Sequence, residues 1–247
     1  GWPLDRVMAA QGIAKDFESS RQLDTELAWL HRRAGDIDLY YLANLTDRAQ
    51  SLEARFRVSG REAEIWRADD GTIAPAAYAQ DGERTTVPLR LAERETVFVV
   101  FRHASAAPAR SLAPVTVSTL GTVEGGWDVA FPEHLGAPPH VHLDRLESWT
   151  ANADDGVKFF SGTARYRKTV QVPADWFREG SSLWLNLGRV GDIAEVSVNG
   201  RILGTLWKAP YRIDLGGVLK PGENRLEIRI TNEWTNRIAG DRVATPE

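Results

Sequence analysis

The sequence predicts an all-β protein: two β-sandwich domains, the second a jelly roll, with a short N-terminal helix. Three observations carry this. From about residue 26, apolar and polar residues alternate over short runs, the period of a half-buried strand. Each run ends in Gly, Asp, Asn or Pro, the residues that punctuate turns. Beyond the first dozen residues no interior helix stands out, so the βαβ alternation of a parallel sheet is missing.

The opening "WPLDRVMAAQGI" places Leu4, Val7 and Met8 at i, i+3 and i+4, with Pro3 suited to a first helical turn. A lone helix this short is marginal in water and needs a partner surface. Residues 1–25 are therefore expected to be a helical remnant or a strap of an upstream domain. A first β-sandwich follows over 26–106. "LAWLHRRAGDIDLYYLANLTD" reads as two strands around Ala34-Gly35-Asp36, and "SLEARFRVSG", "EAEIWRADDGTI", "RTTVPLRLA" and "ETVFVVFRH" as further strands. Val97 to Phe101 is apolar on both faces, which predicts a buried central strand.

"HASAAPARSLAP" (103–114) is rich in Ala, Ser and Pro without periodicity and is the linker candidate. The second sandwich spans 107–247, with strands expected at 125–131, 141–149, 157–172, 182–188, 193–198, 201–207, 210–214 and 224–232. In "NRLEIRI", Leu226, Ile228 and Ile230 share one face and Arg225, Glu227 and Arg229 the other. In "SLWLNLG", Leu183, Leu185 and Leu187 oppose Trp184. Asn199-Gly200 between two apolar runs predicts a two-residue hairpin, because both central residues need φ > 0. "LKPGEN" predicts a type II turn with Pro221 at i+1 and Gly222 at i+2. About eight strands without a helix read as a jelly roll.

Composition bounds the function. The 247 residues are 43% apolar and 26% charged, with a net charge of −4 and a pI near 5.8. That balance argues against a nucleic-acid partner or an anionic membrane surface, and no apolar run reaches the roughly 20 residues of a membrane span. Cysteine is absent, which excludes disulfides, thiolate catalysis and Cys-based zinc sites. The N-terminus has no signal-peptide pattern, and Gly1 suggests a processed or truncated chain. Localisation is left open, with a periplasmic or secreted parent as one option. Nine Trp mildly favour carbohydrate stacking.

From "FFSGTARYRKTVQVP" (159–173) through "LWLNLGRVGDIAEVSVNGRILGTLWKAPYRIDLGGVLKPGENRLEIRITNEWTNRIAGD", the chain resembles the C-terminal region of family-106 α-L-rhamnosidases. The same sandwich is similar to the galactose-binding-like sugar-binding domain of family-2 glycosidases. The phrase order carries it: Gly-x-x-x-Tyr-Arg, Leu-Gly-x-Val, Val-x-Val-Asn-Gly, Leu-Gly-x-x-Trp, Pro-Gly-x-Asn-x-Leu, then Asn232-x-Trp234-x-Asn236-Arg237 with Gly240-Asp241. The upstream segments "LAWLHRRAGDIDLYYLANLTD" and "AEIWRADDGTI" also look like that family's β-domain. The resemblance covers nearly the whole chain and is most specific over 145–241. It implies a catalytic (β/α)-barrel N-terminal to these domains, which 247 residues without βαβ units do not contain. No catalytic residue has a matching position here, so none is assigned. The implied partners are that upstream catalytic domain and a rhamnoside-containing glycan.

Sugars bind by stacking C–H groups on an aromatic face while planar amides or Arg hydrogen-bond the hydroxyls. Trp207 with Lys208 and Tyr211, and Trp234 with Asn232, Asn236 and Arg237, supply that mixture. The alternative is packing: Trp207 over its hairpin, and Trp234 and Arg237 against a neighbouring domain. Glu233 and Asp241 are the acidic candidates in the closing segment, whereas Asp69-Asp70 and Asp154-Asp155 sit beside glycines as turn residues. His140-x-His142 with Asp144 offers too few ligands for a metal site and reads as a solvated strand edge. No cofactor is expected, and a structural calcium held by carbonyls and an Asp stays open. Asn44-Leu45-Thr46 matches the glycosylation triplet. A free-standing carbohydrate-binding module and a purely structural or interaction β-sandwich are the competing readings.

Overall fold

The computed structural model describes residues 4–20 and 26–244, so Pro3 lies outside them. The fold is all-β and divides into two units, Gly1–Thr116 and Val117–Glu247. Helix Leu4–Ala10 forms at the start. The 1–25 expectation needs correction beyond it. Phe17–Ser19 is a strand, not a strap: it pairs antiparallel with Ala54–Phe56, and Phe17 is buried in the first core.

Among the described residues the first unit holds two five-stranded sheets. One runs in the order Phe17–Ser19, Gln50–Phe56, Arg84–Leu91, Tyr78–Asp81, Ala109–Arg110. The other runs Leu27–Ala34, Ile37–Asn44, Thr96–Phe101, Glu64–Trp66, Ile73–Pro75. Thr96–Phe101 is thus the middle strand of its sheet, which explains apolar residues on both its faces. Val97, Val99 and Phe101 join the core, and Phe98 lies 5.3 Å from Tyr41. Tyr40, Phe56 and Phe101 meet edge to face at its centre. The hairpin turns at Gly35-Asp36, with Ala34 paired to Ile37 and Gly35 at φ +62. His31 stacks on Tyr40 and places its two ring nitrogens 2.8 Å from Asp16 and 2.9 Å from Asp38.

The boundary between units lies beyond the expected 106/107 break, because Ala109–Arg110 pairs with Tyr78–Ala79 as an edge strand. Residues 111–126 carry no regular structure.

Among the described residues the second unit has a six-stranded sheet in the order His140–Leu143, Trp127–Ala130, Thr163–Val172, Gly222–Thr231, Ile193–Val198, Arg201–Leu206. A second layer pairs Trp184–Asn186 with Arg212–Asp214. Leu226 and Ile228 face the core, and Leu183, Leu185 and Leu187 pack against it from the other layer. Trp184 is exposed, with the Arg212 guanidinium over its ring.

Three expectations change in this unit. The strand expected over 141–149 stops at Leu143, and a 3₁₀ turn at Trp149–Ala151 buries Trp149 against Phe131 and Phe160. The strand expected from 157 begins at Thr163. Asp154 instead caps a short helix, Asp155–Lys158, accepting from the Gly156 and Val157 amides. A C-terminal helix, Thr235–Ala244, ends the described chain. Its polar sequence has weak apolar periodicity, and it docks through Gly240, where an added Cβ would lie 2.7 Å from Phe159.

The turns follow their predicted chemistry. Asn199 and Gly200 both have positive φ, 53° and 82°, and Gly222 has φ +83. Asn224 is buried. Its amide oxygen accepts from the Lys220 N–H, and its amide nitrogen donates to the Lys220 and Gly222 carbonyls. Asn199 donates to Asn224 and accepts from the Arg225 N–H, tying one turn to the other.

Asn224→Ala leaves several of these buried groups without partners. It is expected to lower the stability of the second unit by about 2–3 kcal/mol in urea unfolding.

Candidate functional site

Three neighbouring strands bring their ends to one edge of the six-stranded sheet. Ile193 opens its strand opposite Thr231, where the long strand Gly222–Thr231 ends, and Ala194 pairs with Leu206, where the hairpin's second strand ends. The segments leaving those ends are Gly191-Asp192, Asn232-Glu233 and Trp207 to Tyr211. They enclose a cleft of about 380 Å³ lined by Asp192, Ile193, Trp207, Tyr211, Thr231, Asn232 and Glu233. That size lies at the low end for a small-molecule site, roughly 300–1,000 Å³.

Trp207 follows directly on the hairpin's second strand and is 62% exposed, and the Lys208 ammonium sits 5.8 Å from its ring centroid. A cis Ala209–Pro210 bond follows. Tyr211 is half-buried, and its hydroxyl donates to the Asp192 carbonyl at 2.9 Å. Burial, with the Asp192 carboxylate adding to it, pushes the Tyr211 phenol above its ordinary pKa, so it stays a neutral donor. Asp192 adopts φ 72, a left-handed conformation that costs a non-glycine residue roughly 1–2 kcal/mol. Its carboxylate accepts the Glu233 N–H at 3.0 Å, which together with Tyr211 holds the residue in place.

The sequence-derived candidates divide here. Trp207, Tyr211 and Asn232 line the cleft, and Lys208 flanks its tryptophan. Asn232 is engaged structurally, since its amide oxygen accepts the Gly162 N–H at 2.9 Å and its amide nitrogen donates to the Phe160 carbonyl at 2.9 Å. Trp234, Asn236 and Arg237 are outside the lining. Trp234 is 77% exposed at the mouth of the C-terminal helix, its carbonyl accepting the Ile238 N–H. Arg237 pairs with Asp241 at 2.9 Å one helical turn on, while its N–H donates to the Ser161 hydroxyl. Asp192, Ile193 and Thr231 were not foreseen. Their one local signal is Gly191-Asp192 just before an apolar strand, an ordinary turn cue.

Elsewhere the candidate chemistry resolves into structure. Asp70 accepts the Thr72 N–H in a turn. Asn44 is buried and engaged on both ends of its amide, donating to the Arg48 and Ala92 carbonyls and accepting from Thr46, so the glycosylation triplet has no free nitrogen. His140 and His142 line a second depression of about 290 Å³ with Asp128 and Arg167, and His142 pairs with Asp128 at 2.8 Å. Among the described residues no three His, Cys, Asp or Glu side chains gather as a metal ion would need.

Two carboxylates in arginine-rich surroundings shift away from acid catalysis. Partial burial pushes Glu227 up, but the bond from Arg167 and the charges of Arg165, Arg167 and Arg229 outweigh it and hold it below the usual range. Glu64 behaves likewise: burial raises it, and bonds from Trp66 and Arg102 lower it further. A general acid in glycoside hydrolysis needs the opposite shift.

Residues 1–80 match the glycoside hydrolase family 106 model, described as alpha-L-rhamnosidase. Residues 148–243 match the model described as Glycosyl hydrolase 2 galactose-binding domain-like. The structure of a rhamnosidase from Novosphingobium sp. PP1Y superposes with a TM-score of 0.90 at 44% identity, over 97% of this chain and 23% of that one. A curated relative, a putative beta-glucuronidase from Formosa agariphila, is 50% identical over 117 residues, which is 47% of this chain and 10% of that protein. The chain therefore spans about a quarter of the solved rhamnosidase and a tenth of the curated relative. The resemblance to family-106 α-L-rhamnosidases and to the galactose-binding-like domain of family-2 glycosidases holds over the matched residues.

Structural and exposed groups should respond differently to truncation. Asn232→Ala should cost about 2 kcal/mol by orphaning the Gly162 N–H and the Phe160 carbonyl, whereas Trp207→Ala should stay within about 0.5 kcal/mol; urea unfolding reads both. The depressed pKa of Glu227 means its stabilisation is complete above the ordinary carboxylate pKa and is lost as pH falls through the folded-state value. Glu227→Gln should accordingly flatten the acid limb of the stability curve.

Proposed function

We propose that the chain supplies the non-catalytic β-domains of an α-L-rhamnosidase-like glycoside hydrolase, supporting a (β/α)-barrel that carries the reacting carboxylates and lending the Trp207 rim to the glycan. The near-complete superposition on part of a rhamnosidase is the observation that carries this reading. The site chemistry agrees with it. Glycoside hydrolysis needs two carboxylates about 5–10 Å apart, one of them kept protonated. The carboxylates that shift in the two sandwiches are instead held ionised by arginines.

A free-standing carbohydrate-binding module is the competing reading, favoured by the exposed Trp207 ring above a cleft. The two differ in dependence on a barrel: a module binds glycan fully by itself, whereas an accessory domain contributes part of a larger site.

The purified 247-residue chain, given an aryl α-L-rhamnoside, is expected to release no aryl alcohol above the buffer rate. Turnover that disappears in Glu233→Gln would overturn the non-catalytic assignment.

A further inference from the structure

We propose that the Trp207 cleft sorts glycans by charge, accepting a neutral pyranose and rejecting a uronate. This rests on the reading that the rim contacts glycan, and it deepens it by naming the class of sugar.

Trp207, Ile193 and Tyr211 form the apolar wall of the cleft, and both Trp207 and Ile193 are exposed, so a sugar's C–H face can lie against them. The polar groups that complete the lining are the side chains of Asp192, Glu233, Thr231 and Asn232. Asn232 is occupied by the Phe160 and Gly162 backbone, and the Tyr211 hydroxyl by the Asp192 carbonyl. The Thr231 hydroxyl is paired with that of Thr163 at 2.7 Å, so hydroxyl recognition falls to the two carboxylates. The Glu233 carboxylate is bonded to no described residue, and its position is set by its own N–H on Asp192.

A carboxylate is an acceptor only, so it pairs with sugar hydroxyls, which donate, and repels another carboxylate. Among the described residues no Arg, Lys or His lines the cleft. Lys208 sits beside Trp207 outside the lining, 5.8 Å from the ring centroid, and leaves the lining charge negative. Anchoring Asp192 at a left-handed position keeps one of the two charges fixed at the strand end. A uronate brought within a few ångströms of Asp192 and Glu233 would bind about five- to tenfold more weakly than a neutral sugar of the same shape.

The test is titration of the 247-residue chain at low ionic strength with methyl α-L-rhamnopyranoside and with methyl β-D-glucuronide, followed by ligand-observed NMR. The neutral glycoside should bind and the glucuronide should be about five- to tenfold weaker. Glu233→Gln and added salt should both narrow that gap, and Trp207→Ala should abolish binding of either sugar. Equal or tighter glucuronide binding, or a gap that Glu233→Gln leaves unchanged, overturns charge sorting while leaving glycan contact standing. Binding that survives Trp207→Ala places the sugar elsewhere and defeats the proposal. If neither glycoside binds, the rim-contact reading falls and this inference falls with it.

Discussion

The second unit depends on one antiparallel ladder, Thr163–Val172 against Gly222–Thr231, paired over ten residues without interruption. Every other strand of its sheet is placed by reference to that pair: Trp127–Ala130 adds on one side and Ile193–Val198 on the other. A ladder this long is vulnerable to slippage, because a shift of one residue moves every side chain to the opposite face. Two asparagines prevent it. Asn224, at the start of the long strand, satisfies the turn that feeds it, and Asn232, just past its end, is bonded across to Phe160 and Gly162, the segment from which the partner strand departs. Each is a side-chain amide substituting for a backbone group where the regular ladder stops.

That register has a functional consequence. Because Thr231 is fixed opposite both Thr163 and Ile193, Asp192 and Glu233 must leave the sheet at the same place. The hairpin set by Asn199-Gly200 then returns Trp207 to that edge. The β-bulge near Val196 and Ser197, with Leu203 as the extra residue, adjusts the hairpin's second strand on the way. The cleft is thus a product of strand pairing and needs no loop of its own length to build it.

The first unit is organised differently. Its centre is an aromatic cluster of Tyr40, Phe56 and Phe101 shared between two facing sheets. Its edge is secured by polar side chains, with His31 hydrogen-bonded between Asp16 and Asp38, and Arg57 reaching Asp16. Here the segment before Phe17 becomes part of the sandwich through a hydrogen-bonded polar cluster that no local pattern reveals, since Asp16 and His31 acquire meaning only when their strands meet.

Alternation and turn residues by themselves determined the all-β class, most strands of both sandwiches, the central position of Val97 to Phe101, and the turns at Gly35, Asn199-Gly200 and Gly222. These are local consequences of side-chain period and of φ > 0, which the chain carries in its own order. The family resemblance was likewise legible in the phrases around Asn199-Gly200 and Asn232. Tertiary structure decided the rest. It engaged Asn232 as a clamp at the cleft wall, left Trp234 and Arg237 outside the cleft lining, and brought Asp192 and Glu233 beside Trp207. It also made a strand of Phe17–Ser19 and a helix of Thr235–Ala244, the latter because Gly240 permits a close approach to Phe159. Hydrogen-bond partners far apart in the chain, and the space left by a missing Cβ, exist only once the strands have paired, so no window of sequence can contain them.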